Sequence, residues 1–148
     1  YVRQAAQKLS SDYEVSSEVW SVTSYGELRR IGLESEREKR IKPDDSTIPY
    51  VSECFGDGTT TIAASDYIAA VPEMIQRWVG GRYVVLGTDG FGRSDSRAAL
   101  RSFFEIDTNS IVLAALSALE KDGEMPSGTV QKAMNELGVS FEKTDKTV

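Results

Sequence analysis

Hydrophobic positions in the first part of the chain change from a helical period to a strand period and back. Apolar residues recur at helical spacing over 2–13, which predicts an amphipathic helix. The segment EVWSVTS (18–24) alternates and is rich in β-branched residues, which predicts a strand. The capping box SYGE (24–27) then opens a helix with Leu28 and Ile31 on its buried side. Its charged continuation ESEREKR (34–40) mixes both signs and reads as a solvated helix end.

The remainder of the chain repeats this alternation of strands and helices. Proline, aspartate and serine in 41–49 indicate a loop, whereas YVSECF (50–55) suits a helix or a strand equally. Two further strands are predicted over TTTIAASD (59–66) and RYVVLGTD (82–89). Helices are predicted over 67–79, with Pro72 near its first turn, and over 95–105, over 108–121 with Thr108 as cap, and over 127–137 with Ser127 as cap. The tail 140–148 shows no pattern.

Strands that alternate with helices indicate an α/β fold. Such units form a mostly parallel sheet with helices on both faces, here in a single domain over 1–148. The chain opens on a helix, and a doubly wound domain normally places a strand before its first helix. We therefore expect that the first strand of the sheet lies outside this chain.

Polar side chains follow each predicted strand where it ends. The strand ends read VTS (22–24), ASD (64–66) and GTD (87–89). In open parallel sheets ligands bind at the carboxyl ends of the strands, so these residues form a candidate polar rim. The members at the three strand ends are Thr23, Ser24, Asp66, Thr88 and Asp89. Ser24 and Asp66 could equally be simple helix caps.

The stretch GTDGFGRSDSR (87–97) continues this rim into a glycine-rich, charged loop. Gly90 and Gly92 can adopt positive φ and let the backbone turn after the strand. Ser94 or Asp95 would cap the next helix. The charges could hold an anion, brace the loop through Arg–Asp pairs or pair across a subunit boundary. The charged candidates are Arg93, Asp95 and Arg97.

Composition narrows the possible functions. The chain has 148 residues, 40% hydrophobic and 27% charged, with a net charge of −6, which argues against a broad nucleic-acid surface. No apolar run approaches the roughly 18 residues of a membrane span. The absence of histidine excludes histidine-based catalysis and most zinc sites. A single cysteine, Cys54, suits a reducing compartment, and we expect a cytoplasmic protein.

Two motifs resemble cofactor sites without completing them. GTDGFG has glycines at 87, 90 and 92 and lacks the spacing of a dinucleotide-binding loop. GDG (56–58) is similar to the start of the magnesium and diphosphate site of thiamine diphosphate enzymes, but the first asparagine is the distant Asn109. We interpret Asp57 as a turn residue. A carboxylate pair of Asp66 and Asp89 is possible, but the sequence does not fix their distance.

Four segments together carry a family resemblance. GTDGFGRSDSR (87–97), WSVTSYGEL (20–28), IPYVSE (48–53) and ASDY (64–67) closely resemble the C-terminal domain of the homodimeric, thiamine diphosphate-dependent pyruvate dehydrogenase components. The resemblance covers nearly the whole chain, in order and spacing. It implies a transketolase-like C-terminal fold in which a strand precedes the first helix.

The resemblance also implies a function for the longer polypeptide. Two larger domains would precede this one and carry thiamine diphosphate, magnesium and the catalytic histidines and glutamate, so this chain would hold no cofactor and no catalytic residue. The whole enzyme would oxidatively decarboxylate pyruvate and transfer acetyl to the lipoyl group of dihydrolipoyl acetyltransferase. The domain would support the homodimer near the active-site entrance. The candidate interface residues are Thr23, Ser24, Asp66, Thr88, Asp89, Arg93, Asp95 and Arg97.

Other classes of function remain open from the residues alone. A stand-alone interaction or regulatory domain could bind a partner or a small anion at the rim. An independent nucleotide-binding protein is less well supported, because the chain lacks a glycine-rich phosphate fingerprint. We expect neither nucleic acid nor a membrane as a partner.

Overall fold

The computed structural model describes residues 1–43 and 46–139. Two short strands, β1 (Thr61–Ala64) and β2 (Tyr83–Leu86), pair in parallel. The α-helices in this part are α1 (Val2–Tyr13), α2 (Tyr25–Ile41), α3 (Tyr50–Phe55), α4 (Ala70–Glu73), α5 (Arg97–Phe103), α6 (Thr108–Lys121) and α7 (Thr129–Leu137). A short 3-10 helix, Gln76–Trp78, follows α4. The tail 140–148, for which no pattern was predicted, lies outside the described residues.

The two-stranded sheet separates two hydrophobic cores. Ile62 and Ala64 of β1, with Leu86 of β2, pack against the core on one face. Tyr83 of β2 packs against the core on the other face. This division follows from the period of two residues along a strand. The predicted parallel sheet with helices on both faces is therefore confirmed, with two strands within 1–43 and 46–139, where three were predicted.

The larger core lies between α1, α6 and α7. Val112 and Leu116 of α6 are fully buried at its centre. Helix α6 is 14 residues long and contacts α1, α7 and both strands. Apolar side chains on several of its sides are therefore buried. The buried members of this core are Ala5, Leu9, Ile111, Val112, Ala115, Leu116 and Ala133.

The smaller core is built around Trp78. This residue and Ile75 are buried, and their separation of three residues suits the 3-10 turn that carries them. The indole Nε1 donates a hydrogen bond of 2.9 Å to the Glu36 carboxylate of α2. Helix α2 approaches so closely that Gly32 lies directly against the Trp78 ring. This close approach fixes α2 on the smaller core.

The prediction of a strand over 18–24 is wrong. Residues 18–24 adopt no regular secondary structure, and Val19 and Trp20 are half exposed. Strand identity requires a hydrogen-bonded neighbour, and in the described sheet β1 pairs with β2 alone. Trp20 does contact Phe55 of α3 edge to face, with ring centroids 5.2 Å apart. Alternation in the sequence therefore did not suffice to form the strand.

The predicted helix over 67–79 is divided into α4 and the 3-10 helix. Pro72 lies in the first turn, as predicted, and the regular helix ends at Glu73. The undecided segment 50–55 is the helix α3. In the predicted loop 41–49, Ile41 instead ends α2, and 44–45 lie outside the described residues.

The caps of the helices in the last third differ by one or two residues from those predicted. Ser96, and not Ser94 or Asp95, caps α5 by accepting from the N–H of Ala99. Asp107, and not Thr108, caps α6. Gly128, and not Ser127, precedes α7. Each observed cap is the residue directly before the helix, because the backbone of the cap residue has non-helical φ and ψ angles.

The stretch 97–121 is long and apolar enough to qualify, by length and composition, as a membrane span. It is not one continuous helix, because the non-helical residues 104–107 divide it into α5 and α6. Five residues of α6 are buried within the protein. We therefore interpret α6 as a core helix, a class that commonly passes the same test.

Glu120 of α6 provides the cap that α7 lacks in its own sequence. Its carboxylate accepts hydrogen bonds of 2.9 Å from the backbone N–H groups of Val130 and Gly128. These donors hold the pKa of Glu120 below its usual value of 4.5. The carboxylate thus joins the last two helices at the turn between them.

Replacing Glu120 by glutamine is expected to lower the melting temperature of the chain at neutral pH. The charge that the two N–H groups favour is lost, whereas the size of the side chain is kept. Because the folded-state pKa is lowered, this stabilisation is complete above the unfolded pKa and is lost as pH falls through the folded value. The difference in melting temperature from the unmodified chain should therefore narrow between about pH 6 and about pH 3.

A matched control for this prediction is Glu124→Gln. The carboxylate of Glu124 forms no hydrogen bond or ion pair with a described residue, so the change should leave the melting temperature nearly constant. A Glu120→Gln effect of the same size at every pH would contradict the proposed role of the charge.

Replacing Ser35 by alanine is expected to stabilise the chain. Ser35 is 5% exposed, and among the described residues its hydroxyl has no hydrogen-bond partner. Removing a buried, unsatisfied hydroxyl should raise the free energy of unfolding by about 1 kcal/mol. The control Ser52→Ala should act in the opposite sense, because the Ser52 hydroxyl donates to the Trp78 carbonyl at 2.8 Å. Urea unfolding of both variants tests the pair, and shifts of equal sign would contradict this explanation.

Candidate interface at the carboxyl edge of the sheet

Two connecting segments meet where the parallel strands end. The segment 65–69 follows β1 and the segment 87–96 follows β2; together we call them the carboxyl rim. The Thr88 N–H donates to the Tyr67 carbonyl at 2.9 Å, and the Thr88 hydroxyl donates to the Asp66 carbonyl at 2.8 Å. Asp89 accepts from the Ala69 N–H, with its two oxygens at 3.1 and 3.3 Å from that nitrogen. The two segments are therefore held to each other by one backbone–backbone bond and by the side chains of Thr88 and Asp89.

Arg101 of α5 holds the Asp66 side chain. Its Nη2 atom lies 2.7 Å from the Asp66 carboxylate, and the arginine side chain is only 16% exposed. The guanidinium also lies under the ring of Tyr1, with 4.6 Å between Cζ and the ring centroid. Asp66 and Asp89 each have a separate donor, so the structure gives no support to a pairing of the two carboxylates.

The charged end of the rim is braced against α5. Arg93 lies 3.6 Å from Asp95, and its guanidinium Cζ is 4.6 Å from the centre of the Phe103 ring. Asp95 accepts a 2.7 Å hydrogen bond from the N–H of Ser96. Arg97 begins α5 and is exposed, without a hydrogen bond or ion pair to any residue that the structure describes.

The glycines of the rim have different structural roles. A Cβ on Gly87 would lie 2.4 Å from the backbone nitrogen of Ala69, so only glycine permits the two segments to meet. Gly90 adopts φ 112°, as predicted for a sharp turn. Gly92 has space around it and no positive φ, so its predicted left-handed backbone is wrong.

Five of the eight candidate residues belong to this connected region. Asp66, Thr88 and Asp89 join the two segments, and Arg93 and Asp95 continue toward α5, which begins at Arg97. Ser24 instead caps α2, accepting from the Glu27 N–H at 3.1 Å. Thr23 is exposed beside Ser24, and no hydrogen bond or ion pair among the described residues joins either to the rim. For Ser24 the alternative of a simple helix cap is confirmed.

Sequence reasoning missed the residues that complete the braces. Arg101 and Phe103 lie in the middle of a predicted helix, where nothing in the pattern distinguishes them from ordinary surface and core positions. Their roles arise because α5 folds back over the strand ends. For Arg101 the sequence offers one signal: it lies one helical turn after Arg97, and therefore on the same side of the predicted helix.

The Gly-Asp-Gly segment does not fit a magnesium site. Asp57 accepts hydrogen bonds from the backbone N–H and the hydroxyl of Thr59, at 3.0 and 2.8 Å, which lower the pKa of Asp57. The carboxylate is thus committed to a local turn, and the interpretation of Asp57 as a turn residue is confirmed. Within residues 1–43 and 46–139, no group of three or more metal-ligating side chains comes together.

The chemistry of the rim favours bracing over binding of an anion. Arg93 and Arg101 are engaged by carboxylates and aromatic rings. Arg97 offers a single exposed guanidinium, which is a weak basis for holding a multiply charged ligand. The hydrogen bonds instead fix the course of two loops relative to α5.

Comparison with known proteins places this geometry in context. The model of the family described as transketolase-like TK C-terminal domain matches residues 1–107. The chain is 44% identical over 138 residues to the pyruvate dehydrogenase E1 component of Mycolicibacterium smegmatis, and 46% identical over 145 residues to that of Pseudomonas aeruginosa. It is 40% identical over 147 residues to that of Escherichia coli strain K12. These matches cover 92%, 96% and 98% of the chain but only 15%, 16% and 16% of the relatives.

Proposed function

The chain belongs to the transketolase-like C-terminal domain family, and from this premise we propose that it is the C-terminal domain of a pyruvate dehydrogenase E1 component. The longer polypeptide oxidatively decarboxylates pyruvate on thiamine diphosphate and transfers the acetyl group to the lipoyl group of dihydrolipoyl acetyltransferase. It forms a homodimer in the cytoplasm. The relatives, which carry this name and match nearly the whole chain, support the proposal.

In this proposal the domain itself has a structural role. It supports the assembly of domains and subunits near the active-site entrance and performs no chemical step. The observation that carries this role is the carboxyl rim, in which the polar side chains are engaged internally. A surface whose backbone is fixed in advance loses little conformational entropy when a neighbouring domain packs on it.

Thiamine diphosphate and magnesium bind, in this proposal, to parts of the polypeptide outside this chain. The cofactor supplies the decarboxylation chemistry there. The residues of this chain do not fit that site, because Asp57 is committed to its turn. We therefore assign no catalytic or cofactor-binding residue here.

Detection of the natural polypeptide tests the proposal first. An antibody against this chain should reveal, in extracts of the source cells, a band several-fold larger than 16.3 kDa. The purified polypeptide should decarboxylate pyruvate only when thiamine diphosphate and magnesium are supplied. A band at 16.3 kDa would instead favour a stand-alone interaction domain, and a large protein without activity on pyruvate would contradict the proposed reaction.

Substitution of Arg93 in the rim and of Arg97 at the start of α5 tests the structural role. In the longer polypeptide, Arg93→Ala with Arg97→Ala should weaken the dimer or the activity of the assembled complex. Arg30→Ala is a suitable control, because Arg30 pairs with Glu27 and Glu34 on the exposed face of α2. Dimer affinity and complex activity equal to those of the control would remove both arginines from the interface.

A further inference from the structure

Three large apolar side chains project from the carboxyl rim into solvent. Tyr67 is 68% exposed, Ile68 is 51% exposed and Phe91 is 76% exposed. We call them the apolar rim residues. Tyr67 and Ile68 belong to the segment after β1, whereas Phe91 belongs to the segment after β2, which hydrogen bonds join. A grouping of this kind on adjoining loops is typical of an interaction surface.

The hydrogen bonds around these residues hold their backbone in position. The Tyr67 carbonyl accepts from the Thr88 N–H, and the neighbouring Ala69 N–H donates to Asp89. Phe91 follows Asp89 by two residues and lies between that bond and the brace of Arg93 on Phe103. The side chains of Thr88, Asp89 and Arg93 thus already have partners within the domain. The exposed apolar side chains supply further contact surface for a neighbour.

The first residue of the chain lies beside this surface. The Tyr1 ring covers the Arg101 guanidinium, which is paired with Asp66, the residue directly before Tyr67. Any polypeptide that precedes Tyr1 therefore enters the domain next to the apolar rim. The matched relatives are about six times as long as this chain, since it covers 15–16% of them. A covalently tethered segment has a high effective concentration at such a nearby surface.

We propose that the apolar rim residues are covered by a part of the same polypeptide that precedes Tyr1. This inference rests on the proposed function, which places a longer polypeptide ahead of the chain, and it names the partner of the rim. The hydrogen bonds and ion pairs of the rim then position the loops. Tyr67, Ile68 and Phe91 supply the apolar area that is buried in the contact between domains.

Hydroxyl-radical footprinting with peptide mass spectrometry tests this proposal. The oxidation rates of Tyr67 and Phe91 are measured in the 148-residue chain and in the longer natural polypeptide. Tyr83 is the internal reference, because its exposure is set within the domain by its packing against the smaller core. A fall in the exposure of Phe91 from 76% to roughly 15%, as at the core of an interface, should slow its oxidation about fivefold.

Dilution then identifies the source of the protection. Protection that persists when the longer polypeptide is diluted to monomer supports an occupant from the same chain. Protection that disappears with the dimer would overturn the proposal in favour of a second subunit. Equal oxidation in the short and long proteins, in a polypeptide that is active on pyruvate, would overturn it and leave the proposed function intact. Protection in a polypeptide that is inactive on pyruvate would support it and contradict the proposed reaction.

A matched pair of variants gives an independent readout. Tyr67→Ser and Tyr50→Ser each remove a tyrosine that is at least half exposed, and Tyr50 lies outside the rim, as the first residue of α3. Both should change the melting temperature of the short chain little. In the longer polypeptide, Tyr67→Ser should lower the melting temperature by several degrees more than Tyr50→Ser. Equal shifts for the two variants would overturn the proposal.

Discussion

Replacing Gly32 by alanine is expected to lower the free energy of unfolding of this chain by about 3 kcal/mol. A Cβ at this position would lie 2.5 to 2.7 Å from three carbon atoms of the Trp78 ring. The ring cannot easily retreat, because Trp78 is 7% exposed and its Nε1 is bonded to Glu36. Helix α2 would have to move away from the smaller core. Urea unfolding followed by tryptophan fluorescence measures the loss.

Gly26→Ala on the same helix is the control for this prediction. A Cβ at Gly26 would meet only the Ser24 hydroxyl oxygen, at an ordinary contact distance of 4.0 Å. Because alanine has a higher helix propensity, this change should be neutral or stabilise by up to about 1 kcal/mol. If Gly32→Ala were as stable as Gly26→Ala, the close packing of α2 on Trp78 would be disproved.

The second large effect is expected from Gly87→Ala in the carboxyl rim. A Cβ on Gly87 would lie 2.4 Å from the Ala69 nitrogen and 2.7 Å from its Cα. Backbone atoms cannot move aside as a flexible side chain can, so the two rim segments must separate. We expect the hydrogen bonds that Thr88 donates and that Asp89 accepts to be lost together. The free energy of unfolding should then fall by about 2–3 kcal/mol. In the longer polypeptide the same change should weaken the contacts that we propose for the rim.

Gly92→Ala provides the comparison within the same loop. No atom lies within 4 Å of a Cβ at Gly92, and its φ is not positive. The alanine should therefore be tolerated, with a change of less than about 0.5 kcal/mol in the free energy of unfolding. Amide hydrogen exchange can localise the damage, since Gly87→Ala should speed exchange at Thr88 and Ala69 and Gly92→Ala should not. Similar exchange in both variants would contradict the role given to Gly87.

Helices that carry their own signals were predictable from sequence. The periods of 2–13 and 108–121 found α1 and α6, and the cap at Ser24 found α2. Each of these depends on neighbours within a few residues along the chain. The predicted strands 59–66 and 82–89 also contain β1 and β2, because parallel strands covered on both faces are apolar throughout.

Features that depend on distant neighbours were not predictable. The segment 18–24 has the composition of a strand but no partner in the described sheet. The carboxylate that supports α7 comes from Glu120, eight and ten residues before the N–H groups it binds. Both features depend on which surfaces meet after folding, and the local pattern of residues does not indicate this.

The candidate site was predicted in part. Residues at the ends of the two real strands did meet, as the rule for parallel sheets requires. The rule failed for Thr23 because its segment is not a strand of the described sheet. The apolar rim residues were overlooked because a search for chemistry attends to charged and hydroxyl groups, whereas Tyr67 and Phe91 matter through their exposure.

The thin sheet has a consequence for how the domain holds together. Four residue pairs of β1 and β2 form the layer between two cores that are otherwise built from different helices. Loss of packing in one core would weaken the hydrogen bonds between β1 and β2, against which the other core also packs. We therefore expect the opening of one core to be coupled, through the strand pair, to the opening of the other. Two small cores would then unfold largely as one cooperative unit.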